Sequence, residues 1–133
     1  MKVLVDTSVW SLALRRRKTA ADEDIIVSRL AELIENSLVV MIGPVRQELL
    51  SGISQESVYV NLRDKLGNFN DFPIYSYNYE TAASYYNICR SNGVQGSHID
   101  FLICAVAVSN DFLIFTTDDD YTNYARHLPI RMY

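Results

Sequence analysis

The chain reads as an α/β protein with a central parallel sheet of four to five strands flanked by helices, and three observations lead there. Short apolar runs at Lys2 to Val5, Val39 to Ile42 and Leu113 to Thr116 alternate with segments of helical periodicity, as in parallel strands covered on both faces. Each run leads through a turn into a helix-forming segment. The stretch Phe101 to Val108 is apolar nearly all round, as in a helix buried inside a domain.

The elements follow in order. After the first strand, Thr7 to Leu14 is predicted helical and runs into the basic stretch Arg15-Arg16-Arg17-Lys18. Ile25, Ile26, Leu30, Leu33 and Ile34 recur at helical spacing behind Asp22 and Glu23, and that helix ends near Asn36. Gly43-Pro44 opens the next helix, with Pro suited to its first position, and Ser51-Gly52 breaks it. A helix over Gln55 to Leu66 and a loop at Gly67 to Asn70 precede a weak third strand at Ile74-Tyr75-Ser76. Glu80 to Arg90 is helical to about Asn92-Gly93, and His98 to Asn110 forms the apolar helix. A short helix at Tyr121 to Arg126 and an edge strand at Ile130-Arg131-Met132 complete the chain.

At 133 residues, 49% apolar and 21% charged, this is the composition of one soluble domain spanning 1–133. A net charge of -4 argues against a basic coat for nonspecific nucleic-acid binding. It is compatible with a nuclease, because an acidic metal site itself draws the count down. Cys89 and Cys104 form no CxxC and have no histidine-rich company, so they read as buried thiols rather than zinc ligands. Asp6 interrupts the first apolar run almost at once, so no signal sequence is expected, and no apolar stretch approaches the ~20 residues of a membrane span. A cytoplasmic protein is expected.

Asp6, Glu48, Asp100 and Asp118 are far apart in sequence, yet the strand–helix alternation sends all of them to the carboxyl edge of the sheet. Asp6 and Asp118 follow strands directly, and Glu48 lies on a helix that starts at that edge. The helix opened by Asp100 must start over the same edge to deliver the chain to the amino end of the next strand. Ligands of open parallel sheets bind in the crevice there. Each acid also has a local explanation. Ser97-His98-Ile99-Asp100 resembles a capping box, Asp6 and Asp118 to Asp120 suit helix starts, and Glu48 suits an exposed helix position. Capping does not explain their shared edge. Two unit charges ~4 Å apart repel by about 4 kcal/mol at an effective dielectric near 20. A site of this kind therefore calls for a proton or a cation. Hard carboxylate oxygens point to Mg²⁺ or Mn²⁺.

With these blocks laid out, the chain resembles the PIN-domain ribonucleases, specifically the VapC-type toxins of type II (VapBC) toxin–antitoxin pairs. The resemblance covers essentially the full length. It rests on Leu4-Val5-Asp6-Thr7-Ser8, Pro44 to Gly52 around Glu48, Asp100 to Ala105, and Thr116-Thr117-Asp118-Asp119-Asp120-Tyr121. It implies a three-layer PIN-like fold with strand order 3-2-1-4-5 and Mg²⁺- or Mn²⁺-dependent hydrolysis of RNA phosphodiester bonds. Asp6, Glu48, Asp100 and Asp118 then match the catalytic and metal-site acids, with Asp120 a further candidate. Thr116, and Ser8 or Thr7, match hydroxyl positions that orient a carboxylate or water. In-line attack by water would release a 3′-hydroxyl and leave a 5′-phosphate. The resemblance also implies a homodimer held inactive by a cognate VapB-like antitoxin, and a restricted RNA target, often transfer RNA.

Softer signals surround this core. Arg15, Arg16, Arg17, Lys18 and Arg46 are candidate RNA contacts, with a solvated helix end or an acid pair as the plainer reading. His98 and His127 read as helix-start and structural residues. Tyr75, Tyr77 and Tyr79 alternate; core packing or a dimer interface is favoured over base stacking. A haloacid-dehalogenase-type phosphatase would want Asp-x-Asp after the first strand, where Asp6 is followed by Thr7-Ser8. A noncatalytic PIN-like RNA- or protein-binding module is the remaining alternative.

Overall fold

The computed structural model describes residues 1–14 and 20–133, so the basic run from Arg15 to Lys18 lies outside the described residues. At its centre is β1 (Val3–Val5), paired in parallel with β2 (Val39–Val40) on one side and β3 (Leu113–Phe115) on the other. The register sets Val3 against Val39 and Leu113, and Val5 against Phe115. Single parallel bridges widen the sheet at both margins, Met41 with Asp71 and Ile114 with Met132. Including these, the order across the sheet is the expected 3-2-1-4-5.

The third segment differs from expectation. Its bridge falls at Asp71, where the Phe72 N–H donates to the Met41 carbonyl at 2.7 Å, and not at Ile74-Tyr75-Ser76. Pro73 lacks the N–H a ladder would need, and Tyr75 already serves as the N-cap of the next helix, its N–H donating to the Asn78 side chain at 2.9 Å. That helix, α5 (Ser76–Ser91), therefore starts four residues earlier than the sequence predicts.

The helices are α1 (Thr7–Leu14), α2 (Ala21–Glu35), α3 (Gly43–Leu50), α4 (Glu56–Leu66), α5, α6 (His98–Ser109) and α7 (Asp120–Ala125). All of α6 from Phe101 to Ala107 is buried, as its apolar circumference requires, and α5 packs along it. Cys89 and Cys104 are buried free thiols. Two helices hand the chain to strands through the same tight ending. After α2, the Leu38 N–H donates to the Leu33 carbonyl at 2.9 Å and the Ser37 N–H to that of Ile34 at 3.1 Å. After α6, Phe112 and Asp111 repeat the pattern on Ala107 and Val108. In this Schellman arrangement one residue adopts left-handed backbone, here Ser37 (φ 56) and Asp111 (φ 59). The reversal is short enough that β2 and β3 begin within two residues of it.

Arg46 holds the outer margin. Its Nε donates to Asp71 Oδ1 at 2.9 Å, Nη1 donates to the Leu66 carbonyl at 2.9 Å, and Nη2 donates to the Phe69 carbonyl. Of the roles the sequence leaves open for Arg46, the structure therefore holds the acid pair; the guanidinium is committed to the loop after α4. Replacing this residue with Met keeps the aliphatic stem and removes three donors to a half-buried loop. Arg46→Met is expected to lower unfolding free energy by about 2 kcal/mol, read as a reduced urea midpoint at unchanged m-value.

Candidate active site

Asp6 stands one residue beyond β1, and its backbone N–H donates to the Phe115 carbonyl at 2.9 Å, so the ends of β1 and β3 are tied beneath it. Its carboxylate is buried, at 5% exposure. Oδ2 accepts hydrogen bonds from Ser8 Oγ at 2.7 Å and Thr116 Oγ1 at 2.8 Å. Ser8 Oγ in turn accepts the Thr117 N–H at 3.0 Å, and Thr116 Oγ1 accepts the Asp118 N–H at 3.0 Å. Each hydroxyl thus gives its proton to Asp6 and receives one from the loop after β3. Ser8, not Thr7, is the orienting hydroxyl; Thr7 Oγ1 is buried with no hydrogen-bond partner among the described residues.

Asp100 arrives from the first turn of α6. Its N–H donates to Ser97 Oγ at 3.1 Å, the first half of the expected capping box. The carboxylate is engaged elsewhere. Oδ2 accepts from the Tyr124 hydroxyl at 2.7 Å, while Oδ1 lies 3.3 Å from the Tyr121 hydroxyl. That same hydroxyl is 3.4 Å from Asp6 Oδ1. A phenol has one proton to donate, so it serves one of the two carboxylate oxygens at a time. Burial raises the Asp100 pKa above the ordinary carboxylate value; the Tyr124 and Ser97 hydrogen bonds oppose this, and the charges of Asp6 and Asp118 reinforce it. Burial, and then the neighbouring aspartates, push both tyrosine hydroxyls upward, so they remain protonated donors.

Asp118 lies at the same edge, anchored through its backbone to Thr116, and its Oδ1 accepts the Asp120 N–H at 2.9 Å where α7 opens. Asp119 and Asp120 are exposed. Glu48 is not part of this network. It is exposed on α3 and lines a groove of about 670 Å³ with Pro44, Tyr79, His98 and Leu102. The fold therefore joins Asp6, Asp100 and Asp118 and leaves Glu48 outside their network. Among the described residues, no group of three or more acidic, histidine or cysteine side chains forms a ready metal cage. The ion pairs there join Arg46 to Asp71, Arg63 to Asp64 and Arg131 to Asp111, away from the three aspartates. The donor chemistry nevertheless fits a hard divalent cation. The set is all oxygen, and one of two facing Oδ1 atoms has no proton available to it.

Sequence reasoning gives neither Tyr121, the last residue of the fourth motif block, nor Tyr124 a role in the site. The only available sign is their i, i+3 spacing directly behind three aspartates. The remaining candidates make no hydrogen bond to the three aspartates among the described residues. His98 is exposed and stacks on Tyr86 at 5.2 Å, and His127 is exposed. Tyr75, Tyr77 and Tyr79 are more than half exposed rather than in the core, and the first two stack on each other at 5.8 Å.

Comparison with known structures gives seven matching chains, and two of them match in shape over nearly their full length. FitAcB from Neisseria gonorrhoeae superposes with a TM-score of 0.77 at 18% identity, covering 98% of this chain and 96% of that one. VapBC2 from Rickettsia felis, bound to a DNA fragment from its promoter, gives 0.79 at 14% identity, covering 100% and 98%. No curated protein matches. The PIN domain family model matches residues 3–127, which takes in Asp6, Glu48, Asp100 and Asp118, and the chain belongs to the PIN domain family.

Proposed function

We propose that this protein is a Mg²⁺- or Mn²⁺-dependent endoribonuclease toxin, acting in the cytoplasm on a restricted set of RNAs such as transfer RNA and restrained by a cognate antitoxin. PIN domains are generally nucleases, and the structural matches include FitAcB and VapBC2. The observation that carries the reading is the facing pair of Oδ1 atoms on Asp6 and Asp100, both within 3.4 Å of one hydroxyl, with Asp118 at the same edge. Asp6, Asp100, Asp118 and Glu48 would hold the ion, Glu48 by turning inward. A bound divalent cation would neutralise these carboxylates and polarise a phosphoryl oxygen.

The chain's own groups do the rest. Ser8 and Thr116 hold Asp6 by Oδ2, which leaves Oδ1 with only the long contact to the Tyr121 hydroxyl. Asp100 or Asp118 orients a water for in-line attack on phosphorus. The bond from phosphorus to the 3′ oxygen breaks, leaving a 3′-hydroxyl and a 5′-phosphate. The homodimer is part of this reading. The outward Glu48 favours one second reading, a noncatalytic PIN-like binding module, and metal dependence separates the two.

Purified protein is expected to cleave RNA with Mg²⁺ or Mn²⁺ and to stop with EDTA. Asp6→Asn or Asp100→Asn is expected to lower kcat/KM by about 100-fold or more, equivalent to some ~2.7 kcal/mol of transition-state stabilisation. Cleavage that persists in EDTA, or at parental rate in either variant, would refute the proposal. A second consequence concerns stability without metal. Because the folded state raises the Asp100 pKa, it holds the proton more tightly than the unfolded chain does. Stability is therefore lost as pH climbs from the unfolded pKa through the raised folded one. Asp100→Asn is expected to unfold at higher urea than the parent at pH 7, with the gain vanishing at pH 3.

A further inference from the structure

Two buried tyrosines converge on one carboxylate, and they do so differently. Tyr124 (0% exposed) makes a short hydrogen bond to Asp100 Oδ2, the oxygen that Tyr121 does not contact. Tyr121 (1% exposed) makes long contacts to both Oδ1 atoms, between Asp6 and Asp100. A hydroxyl at 2.7 Å fixes its acceptor, whereas one at 3.3–3.4 Å from two acceptors fixes neither.

A third residue, outside both helices, sets the first of these contacts. Gly96 packs so closely on Tyr124 that a Cβ there would overlap the Tyr124 hydroxyl, and would come within 2.8 Å of its Cζ and of Phe101 Cζ. Both rings are buried and Phe101 packs against Tyr124 at 4.9 Å, so neither has room to withdraw. The φ of Gly96 is not in the left-handed range that would by itself demand glycine. The missing side chain is what the ring contact requires.

We propose that Tyr124, seated on Gly96, is a positioning residue that aims Asp100 Oδ1 at the cation, while the Tyr121 hydroxyl is a placeholder between the two carboxylates that the cation displaces. The inference rests on the metal site proposed above. The two tyrosines then affect metal affinity in opposite senses. Losing the Tyr124 hydroxyl frees Asp100 to rotate and weakens binding, since partners that orient metal ligands are worth 10–100-fold in affinity. Losing the Tyr121 hydroxyl removes a competitor for the same oxygens.

The test is calorimetric titration of the full chain with Mn²⁺ alone, without RNA, alongside thermal midpoints for every variant. Tyr124→Phe is expected to bind Mn²⁺ about 10-fold or more weakly than the parent, and Tyr121→Phe at least as tightly as the parent. Gly96→Ala is expected to behave like Tyr124→Phe although it removes no polar atom. Tyr85→Phe, a buried tyrosine of α5, should stay within twofold of the parent and controls for a general loss of packing. Parental affinity in Tyr124→Phe, or equal weakening in both tyrosine variants, overturns the proposal while leaving the metal site standing. If the parent itself takes up no Mn²⁺, the site beneath the proposal falls with it. Should Gly96→Ala fail to fold, the opposed tyrosine variants decide alone.

Discussion

A carboxylate sealed into a protein has to be solvated by something, and at Asp6 that solvent is two hydroxyl groups and little else. Leaving such a group unpaired would cost several kcal/mol or drive it to take up a proton. Ser8 and Thr116 supply the protons, and their own acceptor sites are filled by the N–H groups of Thr117 and Asp118. The arrangement is satisfied only if β1 and β3 are in register, because Thr116 is the residue after β3 and Asp6 the residue after β1. The sheet pairing and the orientation of the central carboxylate are thus one constraint. It fixes Oδ2 between two hydroxyls and leaves Oδ1 to the long contact with Tyr121.

The rest of the site works against stability. Asp100 is harder to ionise in the folded chain than in water, with burial as the main cause. A protein retains such a cost where function needs it and offsets it elsewhere. Here the offset lies in the same helix. From Phe101 to Ala107 every residue of α6 is buried, and each large apolar side chain fully buried contributes about 1.5–3 kcal/mol. The first turn of α6 carries the destabilising charge and the next two turns anchor it. Gly96 and Ser97 lie just outside that anchor, one giving space to Tyr124 and the other capping the helix.

Much of this was legible in the sequence because two simple periodicities carry it. Continuous apolar runs marked the three ladder strands, and the all-apolar helix marked the core, so the edge on which Asp6, Asp100 and Asp118 meet followed from topology. The third sheet segment was misread for a physical reason. Ile74 and Tyr75 suit a strand by residue type, but Tyr75 caps α5, and the real bridge is a single residue, Asp71, with no pattern of its own. Tyr121 and Tyr124 were given no role because an aromatic pair at helical spacing reads as core. They are core, and their hydroxyls are the part that composition cannot assign. Arg46 illustrates the reverse, a charge near a site acid in sequence whose partners lie on another loop.

Glu48 is where shared topology and actual contact part company, and the helix that bears it limits how the gap can close. Val45 is fully buried and Arg46 is clamped to the loop after α4, so α3 cannot slide without breaking both. Glu48 lies three residues beyond Val45, roughly 60° round the helix from the direction that faces the core. Under the proposed metal site its carboxylate would turn toward the crevice by rotating its own side-chain bonds while the backbone stays in place. Held in water, it adds nothing to the repulsion that already burdens Asp100. Three aspartates fixed by the fold and one glutamate left free would give a site that bears only part of its full charge until a cation is present to share it.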